Sequence, residues 1–141
     1  MSDTTFSLNI ASVRTNIHEL EPFLERIRTE FEFDEDMYSR FLIALTEAVN
    51  NAIIHGNKDD PDKLVYLKCH CSPDRIECVV RDSGEGFDPE SLSDPTQEEN
   101  LLREGGRGVY IIKTVSDEFE FHRKPEGMEV VFRVFRRTPK E

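Results

Sequence analysis

The chain has 141 residues, 33% of them charged and 37% hydrophobic, and its 18 basic and 29 acidic residues give a net charge of −11. This length fits one domain whose core needs no disulfide or metal, and the negative charge disfavours nucleic acid and anionic membranes as general partners. No run approaches the roughly 18 apolar residues of a membrane span, and residues 1–5 lack the pattern of a signal peptide. We therefore expect a cytoplasmic protein with free cysteines, whose acidic surface serves either solubility or docking to a basic partner.

The first half of the chain has the periodicity of one strand followed by two helices. Apolar residues alternate with polar ones at 6–10, as in a half-buried strand. Ser12 is the expected N-cap of a first helix that runs to about residue 31. Asp34 is the expected N-cap of a second helix at about 35–55, which the Gly-Asn pair that follows should end.

The second half has the pattern of two hairpins separated by a long loop and a short helix. The expected elements are strands at about 64–71 and 75–82, a loop at about 83–105, a helix at about 108–115, and strands at about 119–123 and 130–135. A loop of this length in a compact domain is usually a lid or a binding loop. The order of elements, without repeat or linker, predicts a single α+β domain over residues 1–141, with a mixed sheet and helices packed on one face.

Cys69, His70 and Cys71 have the composition of a metal site but not its geometry. In a strand, Cys69 and Cys71 share one face while His70 points to the other. Two buried thiols and one exposed imidazole are therefore the better interpretation.

Two glycine-rich segments carry most of the functional information. Asp82-Ser83-Gly84-Glu85-Gly86 follows an apolar strand, and Gly106-Arg107-Gly108 opens the next helix. Glycine lets the backbone approach a ligand closely, and a helix N-terminus presents unpaired N–H groups to an anion. One segment can therefore read a base while the other holds phosphates.

A third element is the run Glu47-Ala48-Val49-Asn50-Asn51-Ala52-Ile53-Ile54-His55-Gly56 on the second helix. Glu47 and Asn51 are four residues apart, so their side chains leave the same helix face. Mg²⁺ prefers hard oxygen ligands and keeps several waters, so one amide oxygen together with phosphate oxygens is a suitable set. The alternative is an ordinary solvated helix face. The three elements in this order favour nucleotide binding.

These motifs resemble the N, G1 and G2 boxes of the ATPase superfamily that contains gyrase, Hsp90, histidine kinases and MutL (GHKL). The matching patterns are Glu47…Asn51, Asp82-x-Gly84-x-Gly86 and Gly106-x-Gly108. The resemblance covers about residues 6–135, and its first box is most similar to the bacterial anti-sigma factor and serine-protein kinase branch. It implies a Bergerat-type fold with a mostly antiparallel sheet, and ATP and Mg²⁺ as ligands.

The resemblance also implies roles for individual residues. Asn51 is implied as the Mg²⁺ ligand, and Glu47 as the group that orients or deprotonates the attacking hydroxyl or water. Asp82 is implied as the contact to the adenine amine, from which a carboxylate can accept a hydrogen bond.

The four glycines and one arginine complete the expected site. Gly84 and Gly86 would let the loop pass the base and ribose, while Gly106 and Gly108 would bring N–H groups to the phosphates. Arg107 is the preferred cation for the phosphate charge, although Arg103 and Lys113 are open alternatives and simple solvent exposure is another. Met128 departs from the threonine that many relatives have there, which removes a hydroxyl expected near Asp82.

The function implied by the resemblance is that of an ATP-dependent serine/threonine protein kinase that is also an anti-sigma factor. Its partners would be a small anti-sigma-factor antagonist of the STAS type, which it phosphorylates, and a sigma factor, which it sequesters. A homodimer is common in that branch. Two alternatives stay open: a nucleotide-binding partner-switching module without phosphotransfer, and a stand-alone histidine-kinase-like catalytic domain or ATP hydrolase.

Overall fold

The computed structural model describes residues 3–83, 106–125 and 127–137. Its elements, in chain order, are β1 (Thr4–Ala11), α1 (Leu20–Glu30), α2 (Glu35–Asn51), β2 (Leu64–Ser72), β3 (Arg75–Arg81), α3 (Gly106–Val115), β4 (Glu118–Lys124) and β5 (Gly127–Phe135). Within these residues the strands form one sheet in the order β1-β2-β3-β5-β4, and every neighbouring pair is antiparallel. The predicted α+β class is confirmed.

One face of this sheet is apolar and packs against the helices. Along β2, residues at alternate positions are buried, and β3 shows the same alternation, whereas β5 is buried at most of its positions. The sheet side of the core includes Phe6, Ile10, Val65, Leu67, Ile76, Val80, Phe132 and Val134, and the helix side includes Phe23, Ile27, Phe41, Leu45, Val49 and Ile112. The prediction that the helices lie on one face is confirmed.

The cysteine-rich strand has the predicted alternation. Cys69 and Cys71 are buried in the core, and His70 lies on the other face, where its Nδ1 is 2.8 Å from Thr5 Oγ1. Burial raises the pKa of the Cys71 thiol to about 12. Burial and the hydrogen bond to Cys69 likewise raise the pKa of Cys78 well above its ordinary value. These thiols stay protonated at neutral pH, and they behave as small core residues.

The first helix begins later than predicted, and Ser12 does not cap it. The Ser12 hydroxyl donates to the backbone oxygen of Lys63 at 2.8 Å and accepts from the Asn57 amide at 2.7 Å. A 3₁₀ turn, Arg14–Glu19, precedes α1. Pro22 explains the delay, because it lacks an N–H and its ring would clash with a carbonyl four residues earlier if an α-helix ran through it. The predicted cap is therefore wrong.

The second helix begins as predicted and ends in a wider turn. Asp34 accepts a hydrogen bond from the Met37 N–H at 2.7 Å, which confirms it as the N-cap. Beyond Asn51 the backbone forms a π turn, Ala52–Gly56, and the Asn57 N–H donates to the Ala52 oxygen five residues earlier at 2.8 Å. Because this turn contains one more residue than an α-helical turn, the residues at its end face a different direction from those of a continuing α-helix. Both Gly56 and Asn57 are buried there.

Asp117 joins α2 to the hairpin of β4 and β5. Its Oδ2 accepts from the Phe135 N–H at 2.6 Å and from Arg40 at 2.9 Å, and its Oδ1 accepts from Arg137 at 3.2 Å. Partial burial opposes ionisation, but these hydrogen bonds outweigh it and lower the pKa of Asp117. The ionised carboxylate therefore stabilises the folded state.

We expect Asp117→Asn to lower the free energy of unfolding by about 1.5–3 kcal/mol at pH 7. A lowered folded pKa gives a contribution that is complete above the unfolded value, near 4, and is lost as the pH falls through the folded value. The difference from wild type should therefore narrow below about pH 4. Urea unfolding across this range measures it, and Asp36→Asn is the matched control, because Asp36 also pairs with Arg40 but is exposed. A difference that stays constant with pH would contradict the assignment.

Candidate active site

A cleft lies between the end of α2 and the strands β3, β4 and β5. It is lined by Ala48, Asn51, Ala52, Gly56, Val80, Asp82, Phe121, Met128 and Val130. Most of these residues are apolar or small, and the polar side chains among them are Asn51 and Asp82. We call this the Asp82 cleft. Apolar walls with a few directed polar groups suit a planar heterocycle, whose orientation the polar groups fix.

Asp82 lies directly after β3 and is only 5% exposed. Its Oδ1 accepts from the Met128 N–H at 3.2 Å, and its own N–H donates to the Met128 oxygen at 3.0 Å. A Cβ atom added at Gly56 would overlap the Asp82 carboxylate, and one added at Gly127 would overlap the Asp82 carbonyl. Asp82 is therefore held between two glycines, one against its carboxylate and one against its main-chain carbonyl, at a spacing that no side chain at either position allows.

Glu47 and Asn51 lie on the side of α2 that faces α3. A Cβ atom added at Gly108 would lie 3.2 Å from Glu47 Oε2 and 3.2 Å from Asn51 Oδ1. The absence of a side chain at Gly108 thus brings the first turn of α3 against both groups. A carboxylate and an amide are hard oxygen donors of the kind that Mg²⁺ accepts, so the residues present fit that ion. The helix start supplies N–H groups beside them.

The three predicted side chains therefore meet around one site. Asn51 and Asp82 line the same cleft, and Glu47 lies beside Asn51 against α3. A wider depression of about 560 Å³ lies at the α1–α2 connection, lined by Arg28, Phe31, Glu32, Phe33, Asp34, Glu35, Tyr38 and Ser39. It contains none of the predicted site residues, whereas Asn51 and Asp82 both line the Asp82 cleft.

Comparison with known proteins identifies the family. Residues 6–134 match the family model of the histidine kinase-like ATPase domain. The chain belongs to this family. The predicted resemblance to GHKL ATPases is thereby confirmed.

Curated relatives in this ATPase family carry regulatory names. The anti-sigma F factor of Oceanobacillus iheyensis is 32% identical over 123 residues, which cover 85% of this chain and 84% of that protein. The serine-protein kinase RsbW of Bacillus subtilis is 30% identical over 101 residues, covering 67% and 63%. RsbW of Staphylococcus epidermidis is 36% identical over 89 residues, covering 58% and 56%. The chain thus spans less than two thirds of these two kinases.

Solved structures of histidine kinases share the fold. A mycobacterial sensor histidine kinase, MprB, matches with a TM-score of 0.55 at 17% identity, over 94% of this chain and 97% of that one. The histidine kinase domain of a blue-light activated kinase from Erythrobacter litoralis EL346 matches with a TM-score of 0.53 at 22% identity, over 70% and 44%. In the described part of this chain, no helix is both long and apolar enough to cross a membrane.

Several predicted residues of the ATPase site lie outside the described structure. Gly84 and Gly86 belong to this group, as do Arg103 and the side chain of Arg107. The backbone of Arg107 lies in the first turn of α3, which begins at Gly106 rather than at the predicted 108. Their roles stay predictions.

Three residues that shape the site are not predicted from the sequence. Gly56 and Gly127 enclose Asp82, and Asn57, which is 1% exposed, accepts from the Ser83 N–H at 2.9 Å. From the sequence, Gly56 and Asn57 are expected to end the second helix, and Gly127 lies between the last two predicted strands. A Gly-Asn pair at a helix end is so common that the sequence gives no signal of a second role.

Proposed function

We propose that the chain is an ATP-dependent serine/threonine protein kinase that also acts as an anti-sigma factor. The observation that carries this proposal is the convergence of Asp82, Asn51 and Glu47 on one site beside the start of α3. Such a set contains a base reader, a metal ligand and a proton acceptor. Relatives at 30–36% identity are named anti-sigma F factor and serine-protein kinase, which supports this activity over others in the family.

The base specificity follows from the Asp82 carboxylate. It accepts the hydrogen bond that the N6 amine of adenine donates, whereas guanine presents an acceptor oxygen at that position. Two acceptors facing each other in a buried cleft are strongly disfavoured. The apolar side chains of Val80, Phe121 and Val130 would cover the faces of the ring. ATP should therefore bind in preference to GTP.

The phosphate end of the nucleotide lies toward α3 in this proposal. Asn51 would hold Mg²⁺, which when bound neutralises charge on the phosphates. The N–H groups at the start of α3 and the cation of Arg107 supply the rest of the compensation. A chain with a net charge of −11 needs such local groups if it is to bind a polyanion.

Phosphotransfer would use Glu47 as the proton acceptor. Glu47 takes the proton of a partner's serine or threonine hydroxyl, whose oxygen forms a bond to the γ-phosphorus. The bond from that phosphorus to the β–γ bridging oxygen breaks, and ADP leaves. Most of the rate enhancement in such reactions comes from positioning and charge neutralisation, which the rigid α2–α3 contact favours.

The partners proposed are a small STAS-type antagonist, which accepts the phosphate, and a sigma factor, which the chain sequesters. The names of the relatives support this class of partner. The acidic surface favours a docking partner with a complementary basic patch. Self-association as a homodimer belongs to the same proposal.

The direct test is incubation with γ-labelled ATP, Mg²⁺ and a candidate antagonist, together with calorimetry of ATP binding. We expect Mg²⁺-dependent binding and an acid-stable label on a serine or threonine. Binding without label in any candidate would favour a partner-switching module without phosphotransfer. An acid-labile label would indicate phosphohistidine, and would replace the proposal with a histidine-kinase-like activity.

Gly108→Ala should separate stability from activity. Alanine raises helix propensity by up to about 1 kcal/mol relative to glycine, and α3 is already helical at this position. The added methyl group, however, would press on Glu47 and Asn51 at 3.2 Å. We expect an unchanged or higher melting temperature and a phosphotransfer rate reduced about tenfold or more, since small displacements of reacting groups are costly. Thermal unfolding and initial rates measure both, and an unchanged rate would contradict the proposed site.

A further inference from the structure

Asn57 is a buried polar residue with every side-chain polar group hydrogen-bonded. Its Nδ2 donates to the Ser12 hydroxyl at 2.7 Å and to the Leu64 oxygen at 3.1 Å, and its Oδ1 accepts from the Ser83 N–H at 2.9 Å. Ser12 follows β1 and Leu64 begins β2, so the donor side is fixed to the sheet. The acceptor side reaches the residue directly after Asp82. Asparagine suits this position because one short side chain both donates and accepts.

The π turn at the end of α2 puts Asn57 in this place. Its N–H closes the turn on the Ala52 oxygen, and the turn holds Gly56 directly against the Asp82 carboxylate. Two consecutive residues therefore contact two consecutive residues: Gly56 meets Asp82, and Asn57 meets Ser83. The contacts fix the distance between the end of α2 and the end of β3, which both line the Asp82 cleft.

The opposite side of Asp82 is held by β5, through the two hydrogen bonds with the Met128 backbone. These bonds fix Asp82 relative to β5. The Asn57–Ser83 hydrogen bond fixes the next residue, Ser83, relative to the turn that ends α2. A carboxylate that reads a base must be held on both sides, because its discrimination depends on hydrogen-bond geometry.

We propose that Asn57 is a positioning residue that sets adenine specificity, because it fixes the Asp82–Ser83 segment against the end of α2. This inference rests on the proposed function, since it takes the Asp82 cleft as the adenine site. Asn57 acts through the Ser83 peptide and touches no nucleotide atom itself. Loss of its acceptor oxygen should loosen Asp82 and weaken ATP more than GTP.

The test compares Asn57→Ala with Ser12→Ala. Both remove the hydrogen bond between Ser12 and Asn57, but only Asn57→Ala also removes the bond to Ser83. We expect both to lower the melting temperature. Only Asn57→Ala should speed hydrogen exchange of the Ser83 amide, weaken ATP·Mg²⁺ binding about tenfold and reduce the ratio of ATP to GTP affinity. Ser12→Ala should keep both affinities within about twofold of wild type.

The outcomes separate this inference from the proposed function. If wild type binds ATP and Asn57→Ala binds it equally well with the same preference over GTP, the positioning role is wrong. Equal effects of Ser12→Ala and Asn57→Ala on that preference would reduce Asn57 to a structural residue and overturn the inference. If wild type binds no ATP, the proposed function fails together with the adenine role, while Ser83 exchange still reports whether Asn57 fixes this segment. Should Asn57→Ala not fold, the milder Asn57→Ser must show faster Ser83 exchange and a reduced ATP preference, or the inference is rejected.

Discussion

Glu47→Gln should reduce phosphorylation of a partner at least a hundredfold and leave the affinity for ATP·Mg²⁺ within about twofold of wild type. Glutamine has the same shape as glutamate, so the contact with Gly108 and the neighbouring Asn51 should persist. It cannot accept a proton from the attacking hydroxyl, however, and general-base catalysis contributes about 10²–10⁴-fold. The measurement is the initial rate of label transfer at saturating ATP, with calorimetry for the affinity.

Glu35→Gln is the matched control for this substitution. Glu35 lies in the first turn of the same helix and is exposed. Its substitution by glutamine is the same chemical change at a position far from the cleft. We expect its rate to equal that of wild type. A full rate in Glu47→Gln would exclude Glu47 as the base. A parallel loss of ATP binding would instead assign Glu47 to nucleotide or metal contact.

The sequence predicts most of the fold because most of its elements have a clear periodicity. The alternation along β2 and the apolar stripe of α2 each bury one side, and the periodicity of each segment predicts its type without reference to the element it packs against. The start of α1 was predicted wrongly, because Ser12 has the composition of a cap. Its hydroxyl is used by Lys63 and Asn57, which lie far away in the sequence. Pro22 was the local signal that an α-helix could not begin so early.

The sequence predicts the functional side chains of the candidate site but not the residues that hold them in place. Glu47, Asn51 and Asp82 are chemically distinctive, and their order along the chain is enough to indicate a family, which the comparison confirms. The residues that fix the positions of these side chains are distant from them in the sequence and meet them only in the folded structure. Gly56 and Asn57 belong to a π turn, which has no simple sequence signature. Their contact with Asp82 and Ser83 becomes visible only when the sheet is assembled.

Gly127→Ala should lower the free energy of unfolding by about 2–4 kcal/mol and also weaken ATP binding. Gly127 has a φ of +149°, a backbone conformation that residues with a side chain rarely adopt. A Cβ atom there would overlap the Asp82 carbonyl oxygen and lie 3.1 Å from Asp82 Oδ1. Relief of this overlap must move β5 away from β3, at the point where the Met128 N–H bonds the carboxylate. Urea unfolding and calorimetry measure the two effects.

Gly108→Ala is the control, because it adds the same methyl group at a helical position. Gly127→Ala should destabilise the fold and Gly108→Ala should not, although both should impair the site. The two substitutions act on opposite ends of the proposed nucleotide. Gly127 is next to Asp82, where the base would bind, whereas Gly108 is next to Glu47 and Asn51, where the phosphates would bind. Gly127→Ala should therefore reduce the affinity for adenosine as well as for ATP, whereas Gly108→Ala should leave adenosine binding unchanged. Equal losses of adenosine affinity in both variants would contradict this division of the site, which assigns the methyl group at Gly108 to the phosphate end.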